Sequence, residues 1–138
     1  MIGTASASNV AFVRELGAET VIDYTREAFD ERVKDLDVAL DSMGGEIQNR
    51  TLNIIKRGGR LVSLVFGVNQ DLAHARGVQA SGVLVRPEAS HLDAITRLLA
   101  EGQLKVEVET VLPLREVARA HDLVEGHHVR GKVVLEIK

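Results

Sequence analysis

Short aliphatic runs alternate with amphipathic segments along this chain, and most junctions between them carry glycine or a hydroxyl. TVIDY (residues 20–24), LDVALD (36–41) and RLVSLV (60–65) are rich in Val, Leu and Ile, as fully buried strands are. Helical-period segments separate them. Parallel strands need a crossover that packs back onto the sheet, so this alternation predicts an α/β fold: a Rossmann-like parallel sheet with helices on both faces.

The predicted elements follow in order. Residues 1–5 form a strand that ends at a polar corner, Ser6-Ala7-Ser8-Asn9. Val10, Phe12, Val13 and Leu16 share one helical face, and Gly17 stands where a C-cap glycine belongs. After the 20–24 strand, residues 25–34 predict a polar helix with Thr25 as N-cap. The 36–41 strand runs into Ser42-Met43-Gly44-Gly45. A helix over 46–56 is expected to stop at Gly58-Gly59, before a strand over 60–65. Residues 68–80 read as a loop and a short helix, and GVLV (82–85) as a further strand.

Leu92, Ile95, Leu98 and Leu99 then mark an amphipathic helix over 91–101, closed by Gly102. Near Leu104 the periodicity changes. Residues 105–111 alternate Val with acids, 115–125 are helical, and KVVLEI (132–137) is a last strand. This places a partial cofactor-type domain at 1–103 and a strand-helix-strand extension at 104–138.

Composition narrows the function. The 138 residues suffice for a real core and are 45% apolar and 27% charged. With a net charge of −3 and 3% aromatics, there is neither a basic patch nor an aromatic platform for nucleic acid. No apolar run approaches the length of a membrane span. There is no cysteine, which fits a reducing, cytoplasmic setting and removes thiolate metal sites. None of the five histidines (His74, His91, His121, His127 and His128) has metal-ligand spacing with another His or a carboxylate, so no metal is expected. No nucleophile elbow or catalytic triad pattern is present, so catalytic residues are unassigned.

In an open parallel sheet the ligand lies beyond the carboxyl ends of the strands. That selects residues 4–9, 23–24, 42–45 and 65–67. The first corner is the most telling. A fold that prefers NAD puts an acid there for the ribose 2′-hydroxyl, yet no acid occurs before Glu15. Hydroxyls of Thr4, Ser6 and Ser8, with Tyr24 from the next strand, suit a 2′-phosphate instead, so NADP(H) is the expected dinucleotide. The competing reading is that Ser6 or Ser8 only caps the following helix. The glycine-rich phosphate loop, G-x-G-x-x-G, is missing from the sequence. Because the chain opens directly in a strand, a βα unit carrying that loop is expected upstream of Met1.

Taken together, GTASASN, FVRELGAETVIDYT, DVALDSMGG, LNIIKRGGRLVSL and LAEGQLKVEVETVLPLREVARAHDLVEGHHVRGKVVL resemble the C-terminal part of a medium-chain dehydrogenase/reductase. The resemblance is greatest to the zinc-free, zeta-crystallin-like NADPH:quinone oxidoreductases. It implies a Rossmann domain entered at its second strand and a return to a catalytic domain that this chain lacks. It further implies that Ser6 and Tyr24 hold the 2′-phosphate, and that Asn9 replaces a lysine several relatives use there. Ser42, Met43 and Gly44 would pass the adenosine side and ribose. Leu64 and Phe66 would approach the nicotinamide through their backbone, and Val129, Arg130 and Gly131 would fold over the cofactor.

The implied activity is hydride transfer to a quinone, enone or related carbonyl, with this chain alone not expected to turn over. Two alternatives stand beside it: a non-catalytic α/β dimerisation or ligand-binding module, and part of a zinc-dependent alcohol dehydrogenase. The family's dimers suggest a homodimer through the sheet edge GVLVR (82–86), between Gly82 and Arg86.

Overall fold

The computed structural model describes residues 1–126 and 129–137. The chain divides into two compact units, residues 1–85 and 86–138. Among the described residues, every strand pair is parallel.

The first unit runs β1 (Ile2–Ala5), α1 (Val10–Glu15), β2 (Thr20–Asp23), α2 (Phe29–Arg32), β3 (Leu36–Asp41), α3 (Gly45–Leu52), β4 (Ile55–Ser63), α4 (Gln70–Arg76) and β5 (Gln79–Gly82). Strands β1 and β2 form one sheet; β3, β4 and β5, in that order, form another. In the second unit, α5 (Ala89–Ala100) precedes β6 (Val108–Pro113), α6 (Val117–Glu125) and β7 (Lys132–Glu136), with β6 paired to β7. The α/β reading of the sequence therefore holds.

Aliphatic burial fixes the strands. Ala39, Leu52, Ile55, Leu61, Ala73 and Val78 form the core where α3 and α4 meet the three-stranded sheet. Ala5, Ala18 and Val21 pack with Val10 and Val13 of α1. Ile22, Val33 and Ile54 join the segment after β2 to the start of β4.

Four local predictions need correction. Residues 25–34 do not form one helix, and Thr25 does not cap it. The Thr25 amide and hydroxyl both donate to Asp23 Oδ1, at 3.0 and 2.6 Å. That turn holds the chain until α2, a single helical turn, begins at Phe29.

The helix predicted over 46–56 ends at Leu52, and Gly58-Gly59 lies inside β4. The β3–β4 register jumps from Leu36↔Ile55 to Val38↔Arg60, so the glycines occupy a bulge. A Cβ on Gly59 would stand 2.9 Å from the Asp37 carbonyl oxygen, closer than a side chain allows.

The strand predicted over 60–65 ends at Ser63, and residues 64–66 bend away.

The strand predicted over 82–85 is instead Gln79–Gly82. Its register with β4 is Arg60↔Gln79 through Ser63↔Gly82. The apolar Val83, Leu84 and Val85 lie past the strand and are exposed. Of the expected edge at 82–86, only Gly82 is in the strand, while the Val83 amide still reaches the Ser63 carbonyl at 2.8 Å. Register won over apolarity because Val78 and Ala80 supply the core-facing contacts, leaving the later valines none to make.

Candidate functional site

At the carboxyl end of β1, Ser6 Oγ lies 3.2 Å from Ser8 Oγ, and Asn9 Nδ2 donates to Ser6 Oγ at 3.3 Å. Residues 7–9 form a 3-10 turn leading into α1, and no side chain there caps a helix amide. The hydroxyls are therefore tied to one another and remain available to an incoming acceptor. Thr4, on β1 opposite Ile22, is exposed.

The neighbouring strand brings Tyr24 alongside, because its amide donates to the Ala5 carbonyl at 3.2 Å. Its ring is exposed. Asp23, paired with Ala5 across the strands, is committed to its own turn. Hydrogen bonds from Thr25, with Arg26 at 3.5 Å, hold its carboxyl below the ordinary range despite some loss of solvent.

A second group forms beyond β3 and β4. The Leu64 amide donates to the Asp41 carbonyl at 2.8 Å, which brings the 42–45 turn beside residues 64–66. Met43, Leu64 and Phe66 are exposed, Phe66 at 95%, so the ring has no packing partner to hold it back from a ligand.

Gly44 is buried at φ +72, and a Cβ there would stand 2.8 Å from Val65 Cγ2. Only glycine lets the turn pass that close to the second segment. Ser42 is exposed beside it.

Under the turn sits a carboxylate that was not among the residues singled out from sequence. Asp41, 4% exposed, accepts from the Met43 amide (3.0 Å) and the Gly44 amide (2.9 Å) on Oδ1. Its Oδ2 accepts from Gln48 Nε2 (2.8 Å) and Ser63 Oγ (2.9 Å). Burial opposes ionisation, but the hydrogen bonds from Gln48, Gly44, Met43 and Ser63 outweigh it and hold the carboxyl below its usual range.

The signal in the sequence was periodicity. Asp41 alternates with Ala39, and Ser63 with Leu61, which puts both polar residues on the core face of their strands.

The structure thus brings Thr4, Ser6, Asn9 and Tyr24 together at one strand pair, and Ser42, Met43, Gly44, Leu64 and Phe66 at another. Val129, Arg130 and Gly131 belong to the second unit. There the Arg130 amide donates to the Glu109 carboxylate, and Gly131, at φ +92, passes against the Glu107 carbonyl.

The family model described as "Zinc-binding dehydrogenase" matches residues 16–135. The chain belongs to that family. A "Probable zinc-binding oxidoreductase, mitochondrial" of Arthroderma benhamiae is 29% identical over 145 residues, covering 99% of this chain and 44% of its own. The structure of the quinone oxidoreductase from Coxiella burnetii superposes with a TM-score of 0.90 at 30% identity, covering 99% of this chain and 44% of that one. The Escherichia coli quinone oxidoreductase complexed with NADPH gives a TM-score of 0.80 at 27% identity, over 99% and 49% respectively. The chain spans under half the length of these relatives.

Membership confirms the medium-chain dehydrogenase/reductase resemblance and the Rossmann-type fold. The chain has no cysteine, and among the described residues no three His, Asp or Glu side chains converge on one point. His127 and His128 lie outside the described residues. Also among the described residues, no helix is long and apolar enough to cross a membrane.

Proposed function

We propose that this chain supplies the cofactor-holding part of an NADP(H)-dependent oxidoreductase acting on a quinone, enone or related carbonyl. The observation that carries this is the Ser6–Ser8–Asn9 corner with Tyr24 alongside, and with the Asp23 carboxylate of the paired strand engaged by Thr25 and Arg26. Three hydroxyls and an amide, uncharged donors, suit the 2′-phosphate of NADP(H), which a carboxylate would repel. The NADPH bound in the E. coli relative supports the same cofactor.

Ser6, Tyr24 and Asn9 would hold the 2′-phosphate end, with Thr4 beside them. Ser42, Met43 and Gly44 would pass the adenosine side and ribose, and Leu64 and Phe66 would lie at the nicotinamide end, where Phe66 can exclude water. On the family resemblance alone, Val129, Arg130 and Gly131 of the second unit are also proposed as cofactor contacts. The bound nicotinamide supplies the hydride; the protein's part is to hold and orient it.

Residues 1–103 are proposed as the cofactor domain and 104–138 as the return to a catalytic one. We propose further a homodimer through the β5 edge, where Val83, Leu84 and Val85 are exposed beside open strand positions. Sedimentation equilibrium yielding only monomer at high concentration would reject it. The cysteine-free composition supports a reducing compartment such as the cytoplasm.

The test is NMR titration of the chain with millimolar NADPH and, separately, NADH. Amide shifts at residues 6–9 and 24, larger for NADPH, are expected. Equal shifts with the two, or none, would overturn the reading.

A further inference from the structure

Asp41 and its partners do more than fill the core. The carboxylate grips the 42–45 turn through two backbone amides, and the end of β4 through the Ser63 hydroxyl. Ser63 Oγ in turn accepts the Val65 amide at 3.3 Å, so the first bend after β4 is held to the same centre. Gln48 extends the chain of bonds. Its Nε2 reaches Asp41, while its Oε1 accepts the Asn69 amide at 2.9 Å. Asn69 then closes the far end. Its Oδ1 caps α4 at the Leu72 amide (3.0 Å), and its Nδ2 donates to Asn49 Oδ1 of α3 (2.9 Å).

Asp41, Gln48 and Ser63 are all buried, at 4%, 1% and 0% exposure, and among the described residues no buried side-chain polar atom is left without a partner. A buried network with every group satisfied is rigid, since moving one member orphans another in a low-dielectric setting. The surfaces it carries are the opposite: Ser42, Met43, Leu64 and Phe66, above it, are all exposed or partly so.

We infer that Asp41, Gln48, Ser63 and Asn69 are positioning residues that couple the 42–45 turn to the 64–69 segment, so that both sides of the proposed cofactor groove keep one spacing. This rests on the proposed NADP(H) reading for its purpose, though not for the coupling itself. The network carries the turn proposed beside the adenosine side and ribose and the segment proposed at the nicotinamide end, parts that NADPH and NADH share apart from the 2′-phosphate itself. It is therefore expected to govern both dinucleotides alike, whereas the Ser6–Tyr24 corner discriminates between them.

Ser63→Ala tests it. Amide hydrogen exchange at Met43 and Gly44, whose amides bond Asp41 rather than Ser63, should rise by at least about threefold while the β1–β2 ladder is unchanged. In the same variant the NADPH and NADH titrations should weaken by equal factors, and Ser63→Thr, which restores the hydroxyl, should recover both. Should Ser63→Ala fail to fold, Ser63→Cys, similar in shape and slightly larger, weakens the hydrogen bond and carries the same expectations.

Unchanged exchange at Met43 and Gly44 overturns the coupling, whatever the cofactor does. Raised exchange with dinucleotide shifts identical to those of the unaltered chain overturns the positioning role. If the unaltered chain answers neither dinucleotide while exchange still rises, the cofactor reading fails and takes the positioning role with it, leaving the coupling established.

Discussion

Arg50 of α3 holds Asp30 of α2 with two guanidinium nitrogens, Nε at 3.0 Å from Oδ2 and a terminal nitrogen on Oδ1, while its guanidinium lies 4.9 Å from the Phe29 ring centroid. The planar fork and the ring contact together need an arginine. The Arg50 hydrogen bond, against a smaller effect of burial, holds the Asp30 carboxyl below its usual range. A carboxylate depressed in the folded state adds stability above its unfolded pKa and loses it as pH falls through the folded one. Asp30→Asn should therefore flatten the loss of stability in acid, below the ordinary carboxylate range, and lower the unfolding midpoint at neutral pH. Arg50→Lys should lower it too, because an ammonium cannot reproduce the fork. Thermal melts at neutral pH and in acid check both.

Gly44→Ala is expected to destabilise the chain by about 1–3 kcal/mol, since it combines a left-handed backbone with a methyl pressed on Val65. Gly45→Ala, also at positive φ but with open space around it, should cost less. Urea unfolding of the two variants separates the steric contribution from the backbone one.

Gln48→Glu places a second carboxyl against Asp41 Oδ2 in a buried site. Two carboxylates there cannot both ionise at low cost, so one must keep a proton. Protonated, the introduced carboxyl can donate to Asp41 and still accept the Asn69 amide; ionised, it repels Asp41. The variant should be least stable at neutral and alkaline pH and recover as pH falls, the reverse of Asp30. A stability–pH profile parallel to that of the unaltered chain would contradict this.

Leu52 is fully buried where α3 meets the sheet, among Ala39, Ile55, Leu61, Ala73 and Val78. Leu52→Ala should cost about 2–5 kcal/mol, from the lost burial of the removed carbons together with the cavity they leave. Denaturant midpoints should fall with the slope unchanged.

Tyr24→Phe removes one hydroxyl from an exposed ring and should leave stability within about 0.5 kcal/mol. Calorimetric titration should show NADPH weakened more than NADH. Equal weakening would remove Tyr24 from the 2′-phosphate site.

Much of the architecture was legible from periodicity. LDVALD, KVVLEI and the Leu92–Leu99 stripe each lie within a residue or two of where their patterns place them, because burial of alternate or helically spaced residues leaves a direct trace. Legibility failed where a long-range partner decided the outcome. GVLV is more apolar than QASG, yet pairing with residues 60–63 of β4 made QASG the strand. Gly58-Gly59 reads as a helix stop until β3 is laid alongside and the pair becomes a bulge.

The candidate site divides the same way. The hydroxyl corner Ser6–Asn9 is contiguous and visible in the chain, and so is the glycine turn at Gly44. The Asp41–Gln48–Ser63–Asn69 network joins residues up to 28 apart in number, and each looks ordinary in its own segment. The sequence alone determined the α/β alternation, the family and the small polar residues at strand ends, since these depend on neighbours along the chain. Tertiary structure decided strand register and which polar side chains share a buried centre. Both depend on contacts whose energy exists only once distant segments are packed and water has been excluded.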